Sequence, residues 1–497
     1  MKKFIALALL AVMMLTCLVA CNKDEDFSLG DGSSTSTTSG STDAEKDWKD
    51  AETGKYVPKH EVRKAEYVNR TFTVAVRGGD GTYSSDDFTT NSTMYGELID
   101  NAVKTRNEKV EELYGVKLEV AKEQNINELI LNDCSSGTGL YDLIMPTLPS
   151  LSSLARQDYL IDLSTLENFY KDAPWYSQNC TEAFSFNNKI YFTTGDLTIL
   201  PKVCTPSILF NKEMASKNDL GDLYSLVDNK EWTFDKMIEM AQKVAVIGDP
   251  STPDADNNIY GMVTGYADSI SFFGSSGEKI CDKDAQDMPM LSIGSTERSI
   301  NIAQKILETL SGGHGQWLVY AQECPTPIWE TSFAIFYEGR ALFRPSAFSA
   351  TTKLRTRSQI EFGILPMPLM DFTQEQYRSY CTTGETVGFA IPTSAKDPEF
   401  SAYMLEAYSA WAKNYITPAY YEVNLRYKDT RDDESQRMLD IIFDNIVYDM
   451  GECYDFGGMK NMFMTLTQNG SSDIVSSLEA VKSQAQEAID QMKQDLS

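Results

Sequence analysis

Two histidines, His60 and His314, are the first residues to test for chemistry, because imidazoles serve most acid–base and zinc sites. His60 sits in Lys59-His60-Glu61 and His314 in Gly312-Gly313-His314-Gly315, so no H-E-x-x-H zinc helix is available and no site with two histidines close in sequence. Neither a G-x-S-x-G nucleophile motif nor a G-x-x-x-x-G-K-[ST] phosphate loop occurs, and Gly274-Ser275-Ser276-Gly277 reads as a plain loop. Paired carboxylates could cleave glycosides, but among 72 acidic residues no one pair stands out. The loop Asp254-Ala255-Asp256-Asn257-Asn258 places oxygen side chains at alternate positions, as calcium loops do. It lacks the sixth-position glycine and the distal glutamate, so it reads as a solvated turn, and a metal would rest on Asp254, Asp256 and Asn258 alone. These residues describe a chain that binds rather than catalyses, with no cofactor.

The formal charge of −28 disfavours nucleic acids and anionic partners, and basic patches are absent. At the start, Lys2 and Lys3 precede the apolar run Phe4–Leu15, which is shorter than the roughly 20 residues of a membrane span. Leu18-Val19-Ala20-Cys21 then resembles the lipobox of bacterial lipoproteins. That resemblance implies cleavage before Cys21, a diacylglycerol thioether on its sulfur, and export to the outer face of the cytoplasmic membrane. Residues 22–65 are rich in Ser, Thr, Gly and acidic side chains, and cannot bury enough surface to offset ordering entropy. Residues 1–20 therefore read as a signal peptide and 21–65 as a flexible tether of roughly 35 Å reach. Seven cysteines remain beyond Cys21, an odd number without C-x-x-C spacing, which reads as buried free thiols rather than a disulfide framework.

The elements that must position a site begin at Thr71-Phe72-Thr73-Val74-Ala75-Val76, an alternating strand pattern ending at Gly78-Gly79. A helical stripe follows through Met94, Leu98, Ile99, Val103, Val110 and Leu113, with Gly115 placed to end it. Val116–Val120 and Tyr141–Met145 are further strands. The same alternation continues through Ser207–Phe210, the helix after Trp232-Thr233, the helix after Ser295, and the short strands at Ala341–Phe343, Phe362–Leu365 and Val387–Ile391. Strands separated by helices imply right-handed crossovers and mostly parallel sheets. A chain of 497 residues fits two lobes.

Arg106-Asn107-Glu108 through Tyr114-Gly115-Val116, Tyr141-Asp142-Leu143-Ile144 before Tyr159-Leu160-Ile161-Asp162-Leu163, and Leu209-Phe210-Asn211-Lys212-Glu213 occur in a telling order. So do Lys189-Ile190-Tyr191-Phe192, Trp232-Thr233-Phe234-Asp235, Phe336–Phe343, Gly363–Pro368 and Gly388-Phe389-Ala390-Ile391-Pro392. Together these segments resemble the family 1 extracellular solute-binding proteins of ABC importers, the mostly sugar-binding group. Tyr420-Tyr421-Glu422 and Arg431-Asp432-Asp433-Glu434-Ser435 resemble a lipoprotein branch of anaerobic Gram-positive bacteria. The resemblance implies a two-lobed α/β fold of the type II periplasmic-binding-protein kind, each lobe a mostly parallel sheet with helices on both faces. One lobe would be 66–203 plus 386–430 and the other 204–385 plus 431–497, with ligand in the cleft and hinge closure. It also implies a monomer that takes a small-molecule ligand, a sugar, and delivers it to ABC permease subunits.

A sugar needs aromatic faces for its C–H surfaces and polar groups for its hydroxyls. At strand ends and loops where the family's cleft residues fall, the candidates are Gly79, Asp80, Thr147, Pro149, Cys204, Thr205, Phe272 and Phe273. Trp329, Arg344, Phe348, Thr386, Tyr448 and Tyr454 complete the set. Pro146 and Pro149 stand where many sugar binders carry Trp or Asp, and Phe348 where Trp is frequent, so no particular sugar is implied. Two other readings stay open: a receptor for a peptide or other polar metabolite, and a surface glycan-binding or glycan-degrading lipoprotein.

Overall fold

Alternation makes the first strand what it is. In the computed structural model, which describes residues 47–79, 83, 85–90, 96–351, 354, 360–425 and 433–496, Phe72, Val74 and Val76 of β1 (Thr71–Arg77) are fully buried. Helix α1 (Gly96–Tyr114) buries Ile99, Val103, Val110 and Tyr114, the i, i+4, i+7 stripe of an amphipathic helix. Gly115 ends it at φ +69°, a left-handed conformation that a side chain would strain, and its N–H returns to the Glu111 carbonyl. Next come β2 (Lys117–Glu123), α2 (Ile126–Ser136), β3 (Leu143–Met145) and α3 (Leu148–Arg156). β1 is central, with β2 and β3 parallel on either side.

The second sheet has the order β10-β4-β9-β5-β8, formed by β4 (Pro206–Asn211), β5 (Tyr260–Thr264), β8 (Leu318–Tyr320), β9 (Ala341–Ala347) and β10 (Phe362–Leu365). β4 runs antiparallel to both its neighbours while β9, β5 and β8 run parallel, so one strand opposes the other four. Every residue of β4 and β5 is buried, as expected where helices cover both faces. A small hairpin, β6 (Cys281–Lys283) with β7 (Pro289–Leu291), stands apart from that sheet. Among the covering helices, α4 (Phe234–Val244) is capped by Thr233, whose hydroxyl accepts from the Lys236 N–H at 3.2 Å. Two more are α5 (Glu297–Gly313) and α6 (Ile328–Tyr337).

The chain then returns. β11 (Ser379–Tyr380) pairs in parallel with β12 (Ile446–Val447), and residues 387–392 bridge Thr147, Ile144, Thr193 and Leu160 of the first lobe. Helix α7 (Pro398–Leu425) packs along α1. Among the helices that follow are α8 (Met450–Tyr454) and the last, α9 (Ile474–Asp495).

The expected tether is shorter than its predicted end at residue 65. Trp48 already belongs to the packed body: it is 7% exposed and meets Trp175 edge-on at 5.2 Å and Tyr170 at 5.8 Å. The Lys59 ammonium stands 3.8 Å from the Trp48 ring centre, and His60 contacts the Tyr403 carbonyl at 3.1 Å. Polar composition concealed this because the docking rests on scattered residues, Trp48 together with polar contacts such as those of Tyr56 with Asn414 and of the Arg63 N–H with the Tyr403 hydroxyl. Residues 1–46, with the predicted signal peptide and Cys21, lie outside the described residues. The seven cysteines Cys134, Cys180, Cys204, Cys281, Cys324, Cys381 and Cys453 are all buried and free.

Candidate ligand cleft

Parallel strands leave their carboxyl ends on one edge, where backbone groups are unpaired and loops can hold a ligand. On the first lobe, β1 ends in Arg77-Gly78-Gly79. A Cβ on Gly78 would stand 2.9 Å from the Glu123 backbone, and exposed Gly79 adopts φ +144°, so both positions require glycine. Arg77 reaches across to the return segment, donating from Nη2 to Glu385 Oε2 at 2.6 Å and from Nη1 to the Glu385 carbonyl at 3.2 Å. Just beyond, the Tyr83 hydroxyl meets the Ser349 hydroxyl of the second lobe at 3.3 Å. Burial pushes the Tyr83 phenol up. Asp80 lies outside the described residues.

Segments crossing between the lobes form the floor. Thr205 donates to the Pro201 carbonyl at 2.7 Å and accepts the Phe348 N–H on its own carbonyl at 3.1 Å. Thr386 donates to the Thr382 carbonyl at 2.8 Å, lies 3.2 Å from the Cys381 sulfur, and accepts the Leu148 N–H at 3.0 Å. Cys204 is buried beside them, and that burial pushes its thiol up to about 12. Glu452 of α8 turns both carboxylate oxygens to the Thr383 N–H at 3.3 Å, and burial pushes it up to about 7. The Lys460 ammonium borders the same loop: a Cβ on Gly384 would meet Nζ at 3.7 Å.

Thr147 caps α3 without a side-chain bond to the backbone; its hydroxyl meets Ser150 Oγ at 3.0 Å. Pro149 and Tyr454 come together in a cavity of about 280 Å³, lined also by Ser152, Arg156, Cys453 and Asp495. On the second lobe, the exposed candidate is Trp329, at 49%. Its ring edge lies over the glycine at the end of β5, 3.7 Å from where a Gly265 Cβ would be.

Several expected ligand residues belong to the core instead. Phe272 meets Phe234 at 5.2 Å and Phe273 meets Phe463 at 4.8 Å, each 2% exposed or less. Phe348 packs on Phe443 at 4.7 Å, and Tyr448 on Phe184 at 5.9 Å, although Tyr448 also borders a polar cavity of about 380 Å³ beside Lys279 and Lys283. Arg344 is 3% exposed, stacks on Phe333 at 3.8 Å and donates to the Ser332 carbonyl at 3.0 Å. β9 runs on through Arg344 to Ala347, and Phe272 and Phe273 lie within the helix Asp268–Ser275, so packing claims these side chains instead of a cleft.

The loop expected as a turn or calcium site is a turn. Asn258 is fully buried; its carbonyl oxygen accepts from the Gly248 and Asp249 N–H groups at 2.9 and 2.8 Å. Its amide nitrogen donates to the Asp249 and Thr252 carbonyls, leaving nothing for a metal. Among the described residues no group of three metal-ligating side chains converges.

Arg77, Tyr83, Ser349, Glu385, Glu452 and Lys460 were missed by sequence reasoning. Arg77 and Glu385 adjoin residues that were named, and flanking charges at a strand end and a crossing were the available signal. Nothing local marks the others.

Two α/β lobes, joined by crossing segments that bear polar side chains, meet across a cleft edge. Comparison with solved structures decides what this architecture is. The chain is similar to a cyclo/maltodextrin-binding protein complexed with maltotetraose, at 14% identity and TM-score 0.52, over 87% of this chain and 99% of that one. The fold is that of the family 1 extracellular solute-binding proteins. One such solute-binding protein, from Bifidobacterium longum subsp. infantis, matches at 14% identity and TM-score 0.52 over 86% of this chain and 99% of its own. UgpB from Mycobacterium tuberculosis, solved with glycerophosphocholine, matches at 14% identity and TM-score 0.52 over 85% and 98%. No protein-family model matches the sequence, and no curated protein matches it. No helix among the described residues is long and apolar enough to cross a membrane.

Proposed function

We propose that this protein is an extracellular solute receptor that captures a carbohydrate between its lobes and delivers it to an ABC permease. It is exported and held at the membrane by a lipid on Cys21, and it works without catalysis. The observation that carries this reading is the meeting of Tyr83 and Ser349, one from each lobe, over a floor of crossing segments. A hinge needs that arrangement, because rotation about the crossings makes or breaks contacts at the cleft edge. Pro149, Thr147, Tyr454 and Trp329 supply apolar faces and hydroxyls suited to a sugar.

A second reading is favoured by the Arg77–Glu385 pair and the Lys460 ammonium beside Gly384: a polar metabolite that carries charge. Thermal melting against neutral oligosaccharides, uronates, glycerophosphodiesters and short peptides separates the two. A ligand at a hundredfold its dissociation constant adds about 2.7 kcal/mol, a readily measured shift. Stabilisation by charged molecules alone rejects the carbohydrate reading, and stabilisation by none of the four classes rejects both.

A further inference from the structure

At the carboxyl ends of β5 and β8, three side chains outside the predicted set converge. Tyr266 follows Gly265, and its N–H donates to Gln322 Oε1 at 3.3 Å. The Tyr266 hydroxyl donates to Glu323 Oε1 at 3.2 Å, while the other oxygen of Glu323 meets His314 Nε2 at 2.7 Å. Both His314 and Tyr266 lean on the buried Tyr320 ring, with centroids 5.2 and 4.7 Å away. The chain His314–Glu323–Tyr266 thus runs from an exposed imidazole to the strand edge where Trp329 stands out. The absent side chain of Gly265 leaves a recess bordered by Trp329, the Gln322 amide nitrogen and Asp268, at 3.7, 3.6 and 3.6 Å from the Cβ position. Asp268 is already committed, accepting from the Thr264 hydroxyl and the Gly265 N–H at 2.7 Å each. The Gln322 amide N–H and the Trp329 indole N–H have no acceptor among the described residues, and so are available to a ligand.

The geometry points to Tyr266, Gln322 and Trp329 as the second lobe's ligand-contacting wall, with Glu323 as the positioning residue that orients Tyr266 and His314 as its anchor. This rests on the solute-receptor reading and assigns the ligand's contacts there: a ring face against the aromatics, hydroxyls toward Gln322 and the indole. Tyr266 is half-buried, and with a carboxylate accepting its hydrogen bond its hydroxyl stays un-ionised and keeps its direction. Glu323 touches no ligand in this scheme.

Trp329 makes the test direct. It is the exposed one of the six tryptophans; Trp48, Trp175, Trp232, Trp317 and Trp411 are all 7% exposed or less. Acrylamide quenching of its fluorescence therefore reports this wall, and maltotetraose with a neutral oligosaccharide series serves as the probe. Binding should protect Trp329 from quencher. Glu323→Gln keeps an acceptor for the Tyr266 hydroxyl and should stay within about twofold of the parent, whereas Glu323→Leu and Tyr266→Phe should each weaken binding about tenfold. Glu323→Leu should also change Trp329 quenching in the ligand-free protein, with Glu323→Gln restoring it. Equal quenching and equal affinity in Glu323→Leu and Glu323→Gln would overturn the positioning role. Absence of any probe effect on the parent protein rejects the sugar contacts assigned here, while the ligand-free quenching still decides the role of Glu323.

Discussion

The hydroxyl of Tyr83 stands 3.3 Å from the hydroxyl of Ser349, joining the loop after the first strand of one lobe to the end of a strand in the other. Both groups are partly buried, so the bond forms where water is thinned and, under the proposed function, where the lobes would part to admit a solute.

Removing that bond should act on the equilibrium between open and closed lobes more than on folding. A single neutral hydrogen bond contributes about 0.5–1.5 kcal/mol. Tyr83→Phe and Ser349→Ala are therefore expected to change solute affinity by about two- to tenfold and leave each lobe's packing intact. Titration with the best ligand of the melting screen, together with the radius of gyration from solution scattering, checks this. An altered melting temperature with unchanged affinity and radius would assign the pair to folding alone.

Residues 48–65 should belong to the folded body. A chain starting at residue 47 keeps the Trp48 ring on its seat against Trp175 and Tyr170, whereas one starting at residue 66 loses it and is expected to melt lower. Trp48→Ala should cost about 3–5 kcal/mol, the usual range for a buried tryptophan. Urea unfolding of the three proteins measures the difference, and equal midpoints would return residues 48–65 to the tether.

Calcium should not stabilise the 249–258 turn. Asn258 already makes its hydrogen bonds within the loop and to the Tyr260 hydroxyl at 3.1 Å. Millimolar calcium is expected to leave the melting temperature unchanged, while Asn258→Ala should destabilise by about 1–3 kcal/mol through orphaned backbone groups. A calcium-dependent shift abolished by Asp254→Asn would reverse this conclusion.

Acid should unfold the protein partly through Asp196. Burial alone would raise its carboxyl, but Lys202 at 2.9 Å, Lys413 at 3.1 Å and the Thr417 hydroxyl at 2.8 Å outweigh it and hold the carboxyl well below the usual range. A depressed folded value stabilises above the unfolded value of about 3.9, and that stabilisation is lost as pH falls through the folded one. Glu406 acts in the opposite sense. It is fully buried, and burial pushes it up to about 8 despite donors from the Tyr170 N–H, Trp175 and Tyr176. Its contribution is complete below about pH 4.3 and fades as pH rises toward 8. Asp196→Asn should cost about 3–5 kcal/mol at neutral pH and flatten the stability curve below pH ~4. Glu406→Gln should flatten it between about pH 4.3 and 8. Denaturant titrations across pH 3–9 distinguish the two.

Local patterns carried the elements. The alternation in Thr71–Val76, the stripe from Ile99 to Val110, the glycine at 115 and the Thr233 cap each state a preference decided within a few residues. Those preferences survive because the core agrees with them. Strand–helix alternation with family-like segments in order also foretold an α/β fold of two lobes.

Which faces those elements turn to one another was decided only by the tertiary structure. Phe272 and Phe273 lie in the helix Asp268–Ser275, Arg344 inside β9 and Phe348 just past it, and all four are buried, whereas Trp329, in the first turn of α6, is half exposed. No spacing separates them, because exposure is set by helices that arrive from elsewhere in the chain. Arg77 with Glu385, and Tyr83 with Ser349, lie hundreds of positions apart. Each is an ordinary polar residue in sequence. Only the fold brings them together, because parallel strands put their carboxyl ends on one edge and the segments around Thr205 and Thr386 tie the two lobes there.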